Sequence, residues 1–143
     1  MISIYTDGAC SGNPGLGGWG VVILEDNNNP IFLNGGEKDT TNNRMELQAA
    51  IKAMEYFDEK KEIEIFTDSK YLKDGIEKWI NNWKVNGWKT ANKKQVKNKD
   101  LWLMLEEKIN KHKVSWNWVK GHAENKYNNK ADDLARKYIE ENF

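Results

Sequence analysis

The chain has 143 residues, 38% hydrophobic and 31% charged, with 22 basic and 22 acidic side chains and a formal net charge of zero. That balance suits one soluble globular domain and excludes a disordered polyelectrolyte or a uniformly basic nucleic-acid binder. No apolar run approaches the ~20 residues of a membrane span, so no membrane association is expected.

The first predicted element is a strand. Ile2, Ile4 and Thr6 alternate with Ser3, Tyr5 and Asp7. Met1-Ile2-Ser3-Ile4 passes directly into it, without the pattern of a signal peptide. The lone cysteine, Cys10, rules out an internal disulfide and points to a reducing cytoplasm. With only His112 and His122 to accompany it, a closed structural zinc site is not expected. Gly8 to Gly18 reads as a glycine-rich loop around Asn13-Pro14-Gly15. It lacks the Lys-Ser/Thr ending of a phosphate-cradling loop, so it is a turn, or a backbone bare enough for a ligand to approach. Trp19 to Leu24 and Ile31 to Asn34 are further strands, joined through Asp26-Asn27-Asn28-Asn29-Pro30, and the three make an antiparallel meander.

Met45, Leu47, Ile51, Met54 and Phe57 recur at helical spacing, which predicts a helix over Asn43 to Phe57. Asn43 as N-cap with Glu46 three residues later would be a capping box. Ala49, Ala50 and Ala53 share the face of Glu46 and let it press against the sheet. Glu62 to Thr67 is a fourth strand, followed by Asp68 and an irregular helix through Tyr71, Leu72, Ile76, Trp79, Ile80 and Trp83. From Lys78 to Lys99 there is no acid, while Lys78, Lys84, Lys89, Lys93, Lys94, Lys97 and Lys99 all fall there, interleaved with tryptophans. Segregation of this kind makes a local positive surface on a neutral protein. Leu101, Trp102, Leu105 and Ile109 mark a helix, Val114 to Val119 a fifth strand, and Tyr127, Ala131, Leu134, Ala135, Tyr138 and Ile139 a last helix. Later strands preceded by helices should be parallel crossovers. The expectation is an α/β domain over residues 1–143, with a mixed five-stranded sheet covered by helices on both faces.

Asp7 and Asp68 each end a strand, and the carboxyl edge of such a sheet is where sites form. Glu46 on its helix and Asp132 in the last helix complete a set that one edge can gather. Each has a plainer role: Glu46 in the capping box, Asp68 as an N-cap, Asp132 facing a helix N-terminus. Gathered together, four carboxylates would repel until some were protonated, unless hard divalent cations sat among them. Oxygen-only ligands favour magnesium or manganese over zinc. Two such ions ~3.5–4 Å apart clamp the attacking water and the leaving oxygen of a phosphodiester. His122, in the loop Gly121-His122-Ala123-Glu124-Asn125, is either a solvent-exposed histidine or a proton carrier for the leaving group.

With these residues in place, the sequence resembles bacterial-type ribonuclease H over essentially its whole length. The resemblance rests on Tyr5-Thr6-Asp7-Gly8 with Gly12-Asn13-Pro14-Gly15, on Thr40-Thr41-Asn42-Asn43-Arg44-Met45-Glu46-Leu47, and on Thr67-Asp68-Ser69. Trp118-Val119-Lys120-Gly121-His122 and Ala131-Asp132-Asp133-Leu134-Ala135 complete it, in the same order. It implies a monomeric, cytoplasmic, magnesium-dependent endonuclease that hydrolyses the RNA strand of RNA/DNA hybrids, leaving 5′-phosphate and 3′-hydroxyl ends. It places the metal ligands on Asp7, Glu46, Asp68 and Asp132, and gives His122 an accessory catalytic role. It makes the segment from Trp79 to about Lys99 a basic protrusion, with Trp79, Trp83, Lys84, Trp88 and Lys89 as substrate contacts. Gly8, Cys10 and Asn13 would lie near the RNA strand, Asn42 and Asn43 would face the minor groove, and Thr41 would meet a DNA phosphate. Glu124 and Asn129 depart from the family pattern near His122. A non-catalytic hybrid-binding module and a DNA nuclease or resolvase of the same fold are the competing readings.

Overall fold

A computed structural model describes residues 1–90, 93–120 and 125–143. Three strands, β1 (Ile2–Gly12), β2 (Gly15–Glu25) and β3 (Ile31–Thr40), open the chain. Helix α1 (Asn42–Glu55), strand β4 (Glu62–Thr67), helices α2 (Lys70–Asp74) and α3 (Ile80–Val85), helix α4 (Lys99–Lys111), strand β5 (Lys113–Trp118) and helix α5 (Lys126–Asn142) follow. The strands form one five-stranded sheet in the order β3-β2-β1-β4-β5. β1 pairs antiparallel with β2, and β2 with β3, whereas β1/β4 and β4/β5 are parallel. The expected mixed sheet is the one observed.

The two faces of the sheet are covered by different helices, and the glycines show how closely. A Cβ on Gly8 would stand 2.5 Å from the Glu46 nitrogen and 2.6 Å from the Met45 carbonyl carbon, so α1 lies directly on that face. A Cβ on Gly20 would collide with the Ala131 carbonyl oxygen of α5 on the other face. Ile4, Ile65, Leu47, Ile51, Met54, Trp102 and Leu105 are fully buried between the sheet and the helices α1 and α4. Glu46 shares the buried side of α1 with Ala49, Ala50 and Ala53, as their spacing requires.

Several boundaries differ from expectation. The glycine stretch Gly8 to Gly18 is not a loop. β1 continues to Gly12 and β2 begins at Gly15, because each finds a complete antiparallel partner in the other, with the reversal confined to Asn13 and Pro14. Helix α1 is capped by Thr41, whose Oγ1 accepts from the Arg44 N–H at 3.2 Å, and not by Asn43. Glu46 therefore falls beyond the capping-box position. The cap ahead of Lys70 is Ser69, accepting from Leu72 N–H at 3.1 Å, so Asp68 is free of that duty. Asn125 caps α5 and takes the N–H groups of Tyr127 and Asn128, leaving Asp132 past the first turn, where the helix dipole has largely faded. Between α2 and α3 the chain takes a wider π-helical turn, Gly75–Trp79, which is the irregularity visible in the apolar spacing.

Candidate active site

Parallel pairing sets the site. Ile4 lies opposite Ile65 and Tyr5 opposite Phe66. Continuing that register brings Asp7 opposite Asp68 at the carboxyl edge. Glu46 reaches the same edge from the first turns of α1, where its Oε1 accepts from the Gly8 N–H at 2.7 Å; the same N–H approaches Asp7 Oδ1 at 2.9 Å. One carboxylate oxygen each from Asp7, Glu46 and Asp68 lies within 4.8 Å of the others. Asp132 joins them in lining a cavity of about 420 Å³, with Gly8, Asn42, Asn43, Ser69, Lys70 and Tyr71. It stands apart from the tight trio, and its Oδ2 is held by Arg136 Nη2 at 3.0 Å and Nε at 3.1 Å.

The electrostatics are those of acids crowded out of water. Asp7 is 7% exposed and Glu46 4%. Burial raises the Asp7 carboxyl from its ordinary 3.8 to about 7; the hydrogen bond with Glu46 opposes this, and the charges of Asp68 and Asp132 add to it. Glu46 is pushed well above the carboxylate range, by burial first and by the neighbouring Asp7 second. Glu46 Oε2 is buried with no hydrogen-bond partner. A buried carboxylate oxygen without a donor is costly, and a cation satisfies it. The donor set is all oxygen, which fits a hard divalent ion. The residues present therefore fit such a group.

The expected substrate contacts divide into three kinds. Gly8, Asn42 and Asn43 line the cavity itself. Cys10 and Asn13 flank it on the β1–β2 hairpin: Cys10 Sγ lies 3.5 Å from the Thr40 carbonyl, and Asn13 Oδ1 accepts from the Asn42 N–H at 3.2 Å. That bond ties the hairpin tip to the α1 N-terminus and leaves the Asn13 amide nitrogen available to donate. Thr41 Oγ1 accepts the capping N–H of Arg44, which leaves its O–H to donate elsewhere. The basic segment is less free than its composition implies. Its lysines lack acids in sequence, but Lys84 Nζ meets Glu106 Oε1 of α4 at 2.6 Å and Lys78 meets Asp74 at 3.5 Å. Lys89 stays exposed, paired through its backbone with Gln95. Trp79, Trp83 and Trp88 form a chain of ring contacts at 5.7 and 6.0 Å, and Trp83 also meets the fully buried Trp102 at 5.4 Å. Packing therefore occupies much of Trp83 and Trp88 as well as Trp79. His122 lies outside the described residues.

Sequence reasoning passed over Ser69, Lys70, Tyr71 and Arg136. The first three follow Asp68 directly, so their place at the edge was implied by position. Tyr71 is held there by Asn98 Nδ2 at 3.1 Å and Trp102 Nε1 at 2.9 Å, both donating to its hydroxyl. Arg136 is one helical turn beyond Asp132, a spacing that puts the two side chains on one face.

The family model described as RNase H matches residues 1–140. Proteins named Ribonuclease H from Francisella tularensis subsp. novicida (strain U112) and Francisella philomiragia are each 61% identical over 137 residues, covering 96% of this chain and 90% of theirs. Among solved structures, LC9-RNase H1, described as a type 1 RNase H with the type 2 active-site motif, superposes with a TM-score of 0.85 at 30% identity, covering 97% of this chain and 72% of that one. LC11-RNase H1, solved in complex with RNA/DNA hybrid, shares the fold with a TM-score of 0.74 at 24% identity, covering 98% and 97%.

Proposed function

This chain belongs to the RNase H family, a metal-dependent endoribonuclease acting on the RNA strand of RNA/DNA hybrids, and we propose that Asp7, Glu46, Asp68 and Asp132 are the residues that carry out that hydrolysis here. The observation that supports the assignment is the oxygen cluster of Asp7, Glu46 and Asp68, with Glu46 Oε2 buried and unpartnered and Asp132 across the same cavity. These residues would hold two magnesium ions, or manganese in their place. When bound, the ions would activate water and stabilise the leaving 3′-oxygen, which gives 5′-phosphate and 3′-hydroxyl ends.

The chain's own residues do the rest. The Gly8 N–H donates to Glu46 Oε1 and so fixes the carboxylate, while Oε2 keeps no protein partner and is left for a cation. Asn42 and Asn43, at the exposed start of α1, line the cavity with the acids, which supports their meeting the minor groove, where 2′-hydroxyls mark the RNA strand. Cys10, Asn13 and the bare backbone near Gly8 line the RNA side, and Thr41 the DNA side. Lys89, with Lys84 after release from Glu106, meets phosphates, and the segment from Trp79 to about Lys99 acts as the protrusion of a single ribonuclease H domain, Trp79, Trp83 and Trp88 forming its packed base. His122 assists proton transfer or product departure. The protein works as a monomer in the cytoplasm; among the described residues no helix is long and apolar enough to cross a membrane.

A labelled panel of RNA/DNA, RNA/RNA and DNA/DNA duplexes, run with and without magnesium, tests this reading. Cleavage restricted to the RNA strand of the hybrid, lost on chelation and in Asp7→Asn, is the predicted result. Cleavage of DNA/DNA with the hybrid left whole would replace it with a DNA nuclease.

A further inference from the structure

We propose that Arg136 is the resident counter-cation of Asp132, a positioning residue that keeps this carboxylate out of the Asp7, Glu46 and Asp68 cluster until a divalent cation takes its place. The inference rests on the metal-site reading above and deepens it. Three of the four acids already share a space in which one oxygen of each lies within 4.8 Å of the others. Asp132 faces the same cavity but does not join that set.

What holds it is visible. Two nitrogens of one guanidinium, Nε at 3.1 Å and Nη2 at 3.0 Å, converge on a single oxygen, Asp132 Oδ2. Nε donates to that oxygen, and Nη2, whose hydrogen bond goes to Asp133 Oδ1, adds a close charge contact, so Oδ2 is engaged and Oδ1 is the oxygen open to a further partner. A pair four residues apart on a helix surface is weak, because the side chains lose entropy and water screens the charges. Such a pair offsets the carboxylate's charge and, being partly exposed, costs little to break when a dication competes for it. The guanidinium also has an alternative partner: Asp133 Oδ1 already accepts from Nη2 at 2.8 Å. Releasing Asp132 therefore does not strand a cation. Were the pair only a brace for α5, the bond to Asp133 would serve equally well, and the fork onto Asp132 would be unrelated to metal binding.

Two consequences follow from charge alone. Removing Arg136 takes a positive charge from beside the cation site and should tighten cation binding. Replacing it with lysine keeps that charge and should not. The test uses the full chain without nucleic acid, titrated with Mn²⁺ and followed by electron paramagnetic resonance of the free ion. Arg136→Gln is predicted to tighten Mn²⁺ binding roughly three- to tenfold, and Arg136→Lys to stay close to the parent. The magnesium concentration for half-maximal hybrid cleavage should fall in Arg136→Gln by a similar factor. Unchanged or weakened Mn²⁺ binding in Arg136→Gln, with the parent binding normally, would overturn the proposal. So would an equal gain in both variants, since the charge is kept in one. A parent that bound no Mn²⁺ at all would overturn the metal-site reading itself, and this inference with it. Melting curves of all three proteins separate these outcomes from a loss of fold.

Discussion

Asp7 carries a consequence that can be measured in the metal-free protein. Its carboxyl titrates near 7 in the fold and near 3.8 outside it, so between those values the folded protein holds a proton that the unfolded chain has lost. The metal-free protein should therefore lose stability as pH rises from about 4 to about 7. Asp7→Asn has no such proton to give up. Urea unfolding of both proteins in chelator, at pH 4.5 and pH 7.5, should show the variant gaining on the parent at the higher pH; equal pH dependence would contradict the burial argument. The same substitution should abolish cleavage. His112 works in the opposite sense. It is 4% exposed, its Nδ1 accepts from the Lys61 N–H at 3.0 Å, and Nε2 faces the Met54 carbonyl at 3.1 Å. That leaves the proton on Nε2, and burial lowers the ring's pKa, with the Met54 bond opposing. The folded ring therefore takes up its proton at lower pH than the unfolded chain, which does so near pH 6.5, and this contribution to stability is lost as pH falls below that value. Imidazole resonances of His112 should show the Nε2–H tautomer at neutral pH and a midpoint below 6.5; a midpoint at or above 6.5 would refute the assignment.

At the scale of elements, the close approach of α1 to β1 is what delivers Glu46. Gly8→Ala would place a methyl against the backbone of Met45 and Glu46, which has no rotamer to yield. A destabilisation of about 1–3 kcal/mol is expected by thermal unfolding, together with the disappearance of most of the activity, because α1 must shift and carry Glu46 with it. The basic segment makes a different prediction. Neutralising Lys89 and Lys94 should raise KM and flatten its dependence on salt, the logarithmic slope falling by about 0.9 for each phosphate that is no longer neutralised. Lys84 should contribute less than its position implies, since Glu106 already engages it. These elements also show what sequence could and could not carry. Asp68 was legible because it follows an apolar strand directly, Asp7 because it comes at the end of the apolar alternation of β1, although that strand itself runs on to Gly12, and Glu46 because three alanines mark its buried face. The hairpin through Gly8 to Gly18 was not, since its ladder depends on a partner strand and not on local pattern. The Lys84–Glu106 pair and the packing of Trp83 and Trp88 depend on where α4 lands, which no local spacing records.

For the molecule as a whole, one parallel register and two helix approaches bring acids from four separate parts of the chain to one edge. The β-meander, the crossovers and the mixed sheet were legible as an order of elements; the separation of Asp132 from the other three acids was not, because it is set by a side-chain pair at the surface of α5. Burial without compensation is the common thread: Glu46 keeps an oxygen out of water with nothing donating to it, and Asp7 is forced toward neutrality. Anomalous diffraction from crystals soaked in Mn²⁺, collected with an uncleaved hybrid bound to the Asp132→Asn variant and repeated on the parent without substrate, tests that thread most directly. A peak among the oxygens of Asp7, Glu46 and Asp68 is predicted in both; an empty map there, in crystals that show manganese elsewhere, would contradict the account.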